Sequence, residues 1–290
     1  MARKSARSFR AVIYLFAVMF LAYHHPLFGA KDQKMKPEEL VAKHLDSIGT
    51  AEARAAVQNR VATGIGQVVF RLPTAGLKQG NADLTSEGKK LRISMIFNTN
   101  DYPMEQFFFD GNKVTVSQVQ PGVRVYLASF VYQYDVLMKE GLLGGSMSTA
   151  WCLLDVAGRQ PKLEYTGLKK VNGKQAHELR YRAKKGGGDL TISLHFDPET
   201  FRHVHSEYRL VQPANMANSP AASSGQSDTI FHIEETFTDF KTVDSLTLPH
   251  SWKLTFSREG MGSTILSEDD LGIAQILHNQ TLDPKTFIVP

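Results

Sequence analysis

Histidines are the residues of this chain whose type and spacing come nearest to chemistry. His195, His203 and His205 flank the turn Asp197-Pro198-Glu199-Thr200. With Pro198-Glu199-Thr200 as the hairpin loop, Asp197 pairs with Phe201 and His195 with His203. His205 then lies diagonally beside them, facing Ser193, and Glu207 follows on the same face. The opposite face carries Leu194 against Val204 and Leu190 against Tyr208. Three imidazoles and a carboxylate on one sheet face are a donor set for zinc or copper, and a bound metal would make the place a hydrolase site. The same pattern equally describes a solvated polar strand face. Adjacent carboxylates in Ile233-Glu234-Glu235-Thr236 point to opposite faces of a strand, so they do not form an acid–base pair.

Other chemistry is not encoded. The chain has no nucleophile elbow, phosphate-binding loop, dinucleotide fingerprint or His-Glu-x-x-His. Gly64-Ile65-Gly66 leads into a strand, where a dinucleotide turn would lead into a helix. Cys152 is the one cysteine, which removes disulfide frameworks and Cys-cluster zinc sites. No cofactor is called for, and the reading is of a protein that is not an enzyme.

Elements able to position these residues are mostly strands. Lys36–Gly49 predicts a helix, with Pro37 near its start, acids in its first turn and Gly49 at its end. Leu40, Val41, His44, Leu45 and Ile48 form its apolar stripe. A second short helix is expected over Thr50–Asn59. Strand periodicity follows over Thr63–Leu72, Leu91–Asn98, Met104–Phe109 and Lys113–Gln118, the last two joined at Asp110-Gly111-Asn112. A second group begins at Lys162. Asn172-Gly173 joins Leu163–Val171 to Lys174–Ala183, and Gly186-Gly187-Gly188 turns the chain into Leu190–Phe196. Phe201–Val211, Thr229–Phe240 and Ser251–Ser257 complete about ten strands, a mainly β (α+β) chain whose hairpins imply one antiparallel, strongly curved sheet or barrel.

Between the two groups lies an apolar segment, Tyr126–Val156. Leu127, Phe130, Val131, Tyr134, Leu137 and Met138 recur at helical spacing, Gly141, Gly144 and Gly145 interrupt it, and Ser146–Asp155 reads as a second short helix. One reading is ordinary core packed on the sheet. The other is a lid over an apolar cavity, hinged at the three glycines.

Charge says little about partners. Lys and Arg number 33 and Asp and Glu 29, but Arg3, Lys4, Arg7 and Arg10 account for the whole excess. The balance left after residue 30 gives no case for nucleic acid. Residues 1–30 have the order of an export signal: cations, the apolar run Ala11–Ala22, then Gly29-Ala30. That places the body in the periplasm or outside the cell after cleavage; the alternative is an inner-membrane anchor formed by residues 11–30. The domain plan is an export signal at 1–30, a folded domain at 31–258 with a mobile loop at 212–228, and a C-terminal tail at 259–290 that docks across a sheet edge.

The order of elements resembles a known family. An N-terminal helix, paired strands, the hinged segment Phe130–Leu154 and a second run of strands occur in that sequence. The second run contains Gly167-Leu168-Lys169-Lys170-Val171-Asn172-Gly173-Lys174, Phe196-Asp197-Pro198-Glu199-Thr200 and Leu248-Pro249. Over about residues 35–258 this is similar to the LolA/LolB-like periplasmic lipoprotein carriers and the outer-membrane lipoprotein-sorting proteins. The resemblance implies an unclosed antiparallel β-barrel, covered by the N-terminal helix and a mid-chain helical lid, with an apolar interior that takes acyl chains of lipid or lipoprotein. Candidate cavity and lid residues are Phe97, Phe107, Phe109, Tyr126, Phe130, Tyr134, Leu137, Trp151 and Trp252, each of which also reads as plain core. The family's cavity arginine, bonded to the lid, has Arg92 and Arg180 as candidates. This chain departs from the family in its length, its 212–226 loop and the segment after Arg258. The expectation is a monomeric carrier; recognition of an envelope protein on the same fold is the alternative, and a metal-dependent hydrolase the third reading.

Overall fold

The computed structural model describes residues 35–214, 227–260 and 262–289. The expected export signal, and most of the expected 212–228 loop, lie outside the described residues.

The N-terminal helix forms where the caps and stripe placed it. Helix α1 spans Pro37–Ile48, with Pro at its first turn, Glu38 and Glu39 near its N-terminus, and Leu40, Val41, His44 and Ile48 buried. Helix α2 is only Ala51–Ala55, capped by the Thr50 hydroxyl, which accepts from the Ala53 N–H at 3.2 Å. Among the described residues, twelve strands make one antiparallel sheet. They are β1 (Asn59–Leu72), β2 (Gly76–Glu87), β3 (Lys90–Phe97), β4 (Met104–Phe109), β5 (Val114–Val116), β6 (Lys162–Val171), β7 (Lys174–Arg182), β8 (Thr191–Phe196), β9 (His203–Gln212), β10 (Thr229–Val243), β11 (Leu246–Gly260) and β12 (Ser263–His278). Their order is β5-β4-β3-β2-β1-β12-β11-β10-β9-β8-β7-β6. The sheet does not close on itself: β5 and β6 are its two edges.

Two strands were not foreseen. The segment read as a tail is β12, which lies mid-sheet between β1 and β11 and pairs with both along most of its length. Its inward positions include Ser267 and Asp269, and this polarity hides the alternation that marks a strand. Strand β2 hides for a related reason: its buried face carries Ala82, Leu84 and Ser86, and it begins in a glycine-rich stretch. The Asn172-Gly173 hairpin is as expected, with Val171 opposite Lys174 and positive φ at both turn residues.

This order fixes where the mid-chain segment goes. The chain leaves the sheet at one edge, β5, and re-enters at the other, β6. The connecting stretch contains α3 (Tyr126–Gln133), α4 (Val136–Lys139), 3₁₀ turns at Gly145–Met147 and Cys152–Asp155, and α5 (Val156–Arg159). The expected second helix at Ser146–Asp155 is thus two 3₁₀ turns. Leu127, Phe130, Leu137, Met138, Met147, Trp151 and Cys152 of this stretch are buried in one core with Leu84, Ile93, Leu179, Leu194, Phe237, Trp252 and Leu254 of the sheet.

Polar side chains pin the segment to the sheet. Glu235 of β10, fully buried, accepts the Gly144 N–H at 2.7 Å and the Trp252 Nε1–H at 2.8 Å on one oxygen, and the Tyr208 hydroxyl at 2.6 Å on the other. Arg60 of β1, also buried, donates from Nη1 to the Ser146 carbonyl at 2.9 Å. Arg159 donates to the Lys139 and Ala150 carbonyls at 2.8 and 2.9 Å. His44 of α1 accepts the Trp151 Nε1–H at 2.9 Å and donates from Nδ1 to the Phe201 carbonyl at 3.1 Å, which fixes its neutral tautomer. Burial lowers the His44 imidazole to about 4, so it carries no proton on both nitrogens at neutral pH.

Burial pushes the Glu235 carboxyl up to about 7, against its three donors. A carboxyl raised on folding binds its proton more tightly in the folded chain. Its stabilising contribution is present at low pH and is lost as pH rises from the unfolded value of 4.5 to about 7. Glu235→Gln is tolerated, because an amide donates to the Tyr208 oxygen while Tyr208 turns its proton to the Leu142 carbonyl 3.1 Å away. Urea unfolding against pH should show this variant gaining on the parent by on the order of 3 kcal/mol between the two pKa values, then levelling. Glu235→Leu leaves the Gly144 and Trp252 N–H groups unpaired and should cost more than about 2 kcal/mol at every pH.

Candidate functional site

The interior of the sheet is filled by its own side chains. Phe97, Phe107, Phe109, Phe130, Leu137, Trp151 and Trp252 are all buried in the core, Tyr134 is half-buried against Phe130, and only Tyr126 is exposed, at 55%. Of the nine expected cavity residues, Tyr126 alone lines the large apolar cavity described next.

That cavity lies at one end of the sheet and has a volume near 630 Å³. Its walls come from the β1–β2 turn (Phe70, Leu72, Pro73, Ala75), the loop before β4 (Tyr102), the stretch leading into α3 (Val119, Val123, Val125, Tyr126, Leu127) and the start of β12 (Ile265, Leu266, Ser267). Leu72, Val123 and Tyr126 are exposed at its mouth. Lys78 and Arg124 also border it; Lys78 is paired with Asp101 at 2.6 Å, and the Arg124 guanidinium lies over the Tyr132 ring. Two smaller hollows are each about half that size. One is lined by Lys162, Glu164, Arg180, Arg182 and Asp189, charges that disfavour an alkyl chain; the other lies between α1, α2 and Leu246.

Tyr102 and Glu105 supply a polar part of the cavity wall, and Asp269 lies behind the lining. Tyr102 packs its ring edge-on to Phe70 and donates its hydroxyl to Glu105 at 2.5 Å. Glu105 is 2% exposed and Asp269, behind it on β12, 1%. Among the described residues, one Glu105 oxygen and both Asp269 oxygens have no hydrogen-bond partner. Burial pushes the Glu105 carboxyl up, against the hydrogen bond from Tyr102. Burial, then the charges of Glu105 and Asp270, holds Asp269 well above the usual carboxylate range. Both carboxyls therefore hold a proton more tightly than a solvated carboxyl does. Sequence reasoning missed both residues. Asp269 sits in an acidic run, Glu268-Asp269-Asp270, that reads as surface until β12 is known to be a central strand.

The histidines do not converge. Asp197 Oδ1 accepts the Glu199 and Thr200 N–H groups at 3.1 and 2.7 Å, and the Asp197 N–H bonds to the Arg202 carbonyl at 3.0 Å, so the loop is longer than expected. A bulge then shifts the pairing: His195 faces His205, and Phe196 faces His203. His203 therefore points into the core, stacked on Trp151 with ring centres 4.5 Å apart and beside Phe237. Its Nε2 meets the Ser206 hydroxyl at 3.0 Å. His195 and His205 lie together on the other face, ring centres 5.4 Å apart. Burial lowers all three imidazoles, His205 to about 4. Among the described residues, no group of three or more His, Cys, Asp or Glu is placed to hold a metal ion.

The three glycines are close-packed. Each has positive φ, and a Cβ on Gly141, Gly144 or Gly145 would meet Ala150 O at 1.8 Å, Leu84 Cδ1 at 2.6 Å or His203 Nδ1 at 2.6 Å. Lacking a Cβ, they let the segment approach the sheet at the positions expected to hinge. Among the described residues, neither expected arginine is hydrogen-bonded or ion-paired to the segment. Arg92 pairs with Asp83 at 2.7 Å and Arg180 is largely exposed beside Glu178, whereas Arg60 makes the bond to the segment. Among the described residues, no helix is long and apolar enough to cross a membrane.

No family model and no curated protein matches the chain. Solved structures match over most of its length. A domain described as an outer membrane lipoprotein-sorting protein from Vibrio parahaemolyticus is 11% identical, covering 87% of this chain and 97% of that one, with a TM-score of 0.42. A LolA superfamily protein from Nitrosomonas europaea is 9% identical over 88% and 98%, with a TM-score of 0.46. A DUF1329 family protein from Desulfovibrio piger is 9% identical over 87% and 98%, with a TM-score of 0.41. LolA-superfamily structures are thus among those the chain resembles, as the element order implied. The likeness is one of fold alone.

Asp269→Asn removes a buried acid that costs stability when it ionises. A carboxyl raised on folding contributes most at low pH and loses that contribution as pH rises. The variant should match the parent in acid and exceed it by about 0.5–2 kcal/mol in mild alkali. Chemical denaturation at both pH values checks this; equal curves at high pH would mean Asp269 is already solvated or paired.

Proposed function

We propose that this chain is an exported, non-enzymatic carrier-like protein of the cell envelope that holds acyl chains of a lipid or lipoprotein in the cavity between the β1–β2 turn, the start of β12 and the stretch leading into α3. The observation that carries this reading is the cavity itself: near 630 Å³, walled by Phe70, Val119, Val125, Leu127 and Ile265, and opening between the exposed Leu72, Val123 and Tyr126. The volume is within the range of ligand sites, and exposed apolar side chains around an opening mark contact with an apolar partner. An alkyl chain gains about 0.8 kcal/mol per buried methylene before ordering costs. No chemistry is required of the walls, and the dispersed histidines supply none.

Ser267 faces this cavity from β12. Ser267→Phe places a ring in the space an alkyl chain would take, and Ala75→Trp does so from the exposed turn. Displacement of a fluorescent fatty acid from delipidated protein by dodecan-1-ol should give micromolar binding. Each variant should weaken it about tenfold at an unchanged melting temperature. Failure of the parent to bind any alkyl probe, or full binding by both variants, would sink the reading. In that case, specific capture of an envelope protein by the delipidated chain would favour the protein-recognition alternative.

A further inference from the structure

The acyl-chain reading accounts for the apolar walls and leaves the inner wall unexplained. A cavity built only for hydrocarbon has no use for two buried carboxyls, and leaving them unpaired opposes folding. Neither has a lysine or arginine within ion-pair distance among the described residues. Their neighbours in strand register are apolar: Met95 opposite Glu105, and Val68 and Leu254 opposite Asp269. Tyr102 serves one Glu105 oxygen and, among the described residues, leaves three carboxyl oxygens without a hydrogen-bond partner.

Resting on the acyl-chain reading, we propose that Glu105, backed by the Asp269 carboxyl, is a binding site for a protonated amine, so that the cavity selects a long-chain amphiphile carrying an ammonium group. The match is one of charge and hydrogen bonding. A primary ammonium brings N–H donors and a positive charge to a wall carboxyl with an unpartnered oxygen, and the Asp269 carboxyl behind it adds to the negative field. The alkyl portion then lies along Phe70, Leu127 and Ile265 toward the mouth. A divalent metal fits less well, because no third His, Cys, Asp or Glu joins the pair among the described residues.

Proton balance follows from the chemistry. Burial favours the protonated carboxyl, and an ammonium entering as RNH3⁺ favours the carboxylate, so a proton held there leaves to solvent. Binding therefore tightens as pH rises toward the amine's own pKa, near 10.4 for an alkylamine such as lysine's. Charged and titratable groups packed around the pair are Tyr102 and Asp101 of the loop before β4, Lys78 of β2, Arg124 of the stretch leading into α3, and Asp270 of β12. Lys78 is neutralised by Asp101 at the mouth, so the inner wall keeps its preference for a cation.

Titration calorimetry of the delipidated full chain tests this with dodecylamine and dodecan-1-ol below their micellar limits, at about pH 6 and about pH 8, in two buffers of different ionisation enthalpy. At the higher pH the amine should bind about tenfold tighter than the alcohol, with a proton released to buffer, and the ratio should shrink at the lower pH. Glu105→Gln and Asp269→Asn should each bring the ratio toward one, while Glu268→Gln, whose carboxylate pairs with Arg71 and Lys253, should not. Binding of both compounds with equal affinity, or ratios unaltered in both acid variants, would overturn the ammonium site and leave the acyl-chain reading intact. Binding of neither would overturn both.

Discussion

Glu235 stands where the topology makes its strongest demand. A sheet whose chain exits at one edge and re-enters at the other must tether the connecting stretch across its buried face, or expose a row of apolar side chains. Hydrophobic contact supplies the area but no register. The Glu235 carboxyl supplies register: one oxygen joins the Gly144 backbone to Trp252 of β11, and the other holds Tyr208 of β9. Three strands and the connecting stretch are thereby fixed around one side chain. Arg60 and His44 extend the arrangement, the first from β1 to Ser146 and the second from α1 to both Trp151 and the Phe201 turn. Such a network specifies one arrangement because each buried polar group left unpaired is costly.

Burial raises the carboxyls of both buried acid sites, but their surroundings differ. Glu235 is ringed by donors, so its place is structural. Glu105 and Asp269 meet one hydroxyl between them. Polar groups retained in a core without partners oppose folding, and such residues persist where something outside the fold completes them. That contrast, within one sheet and a few strands apart, separates the pair at the cavity from the ordinary polar framework.

What was legible in the sequence follows from where local signals agree with tertiary environment. Helix α1 carried caps, stripe and stop together, and Asn172-Gly173 demanded a two-residue hairpin whatever surrounded it. The hairpin-linked β architecture followed from such turns. Strands β2 and β12 were invisible because their inward faces carry Ser86, Ser267 and Asp269, so alternation of apolar and polar residues fails where it is needed as a signal. The histidine register failed for a single-residue reason: a bulge at the start of β9 sends His203 inward and leaves His195 and His205 outward. Aromatic residues marked the interior correctly, but large apolar side chains identify filled space, and a cavity is found where they run out.

That last point explains the position of the cavity. Toward α1 and the 3₁₀ turns, Trp151, Trp252, Phe237, Phe196 and Tyr208 meet across the sheet with no exposure, and close-packed Gly144 and Gly145 bring the backbone down onto them. Toward the other end, the inward residues shrink and become polar, Ser267 and Asp269 on β12 and Glu105 on β4, while the β1–β2 turn and the stretch leading into α3 wall the space without filling it. Interiors at crystalline packing density do not leave a volume of several hundred Å³ by accident of side-chain size. Here it arises because the central strand between β1 and β11 carries the small Ser267 where its partners carry Phe70 and Phe256, which makes β12 both a central pairing element of the sheet and a wall of the cavity.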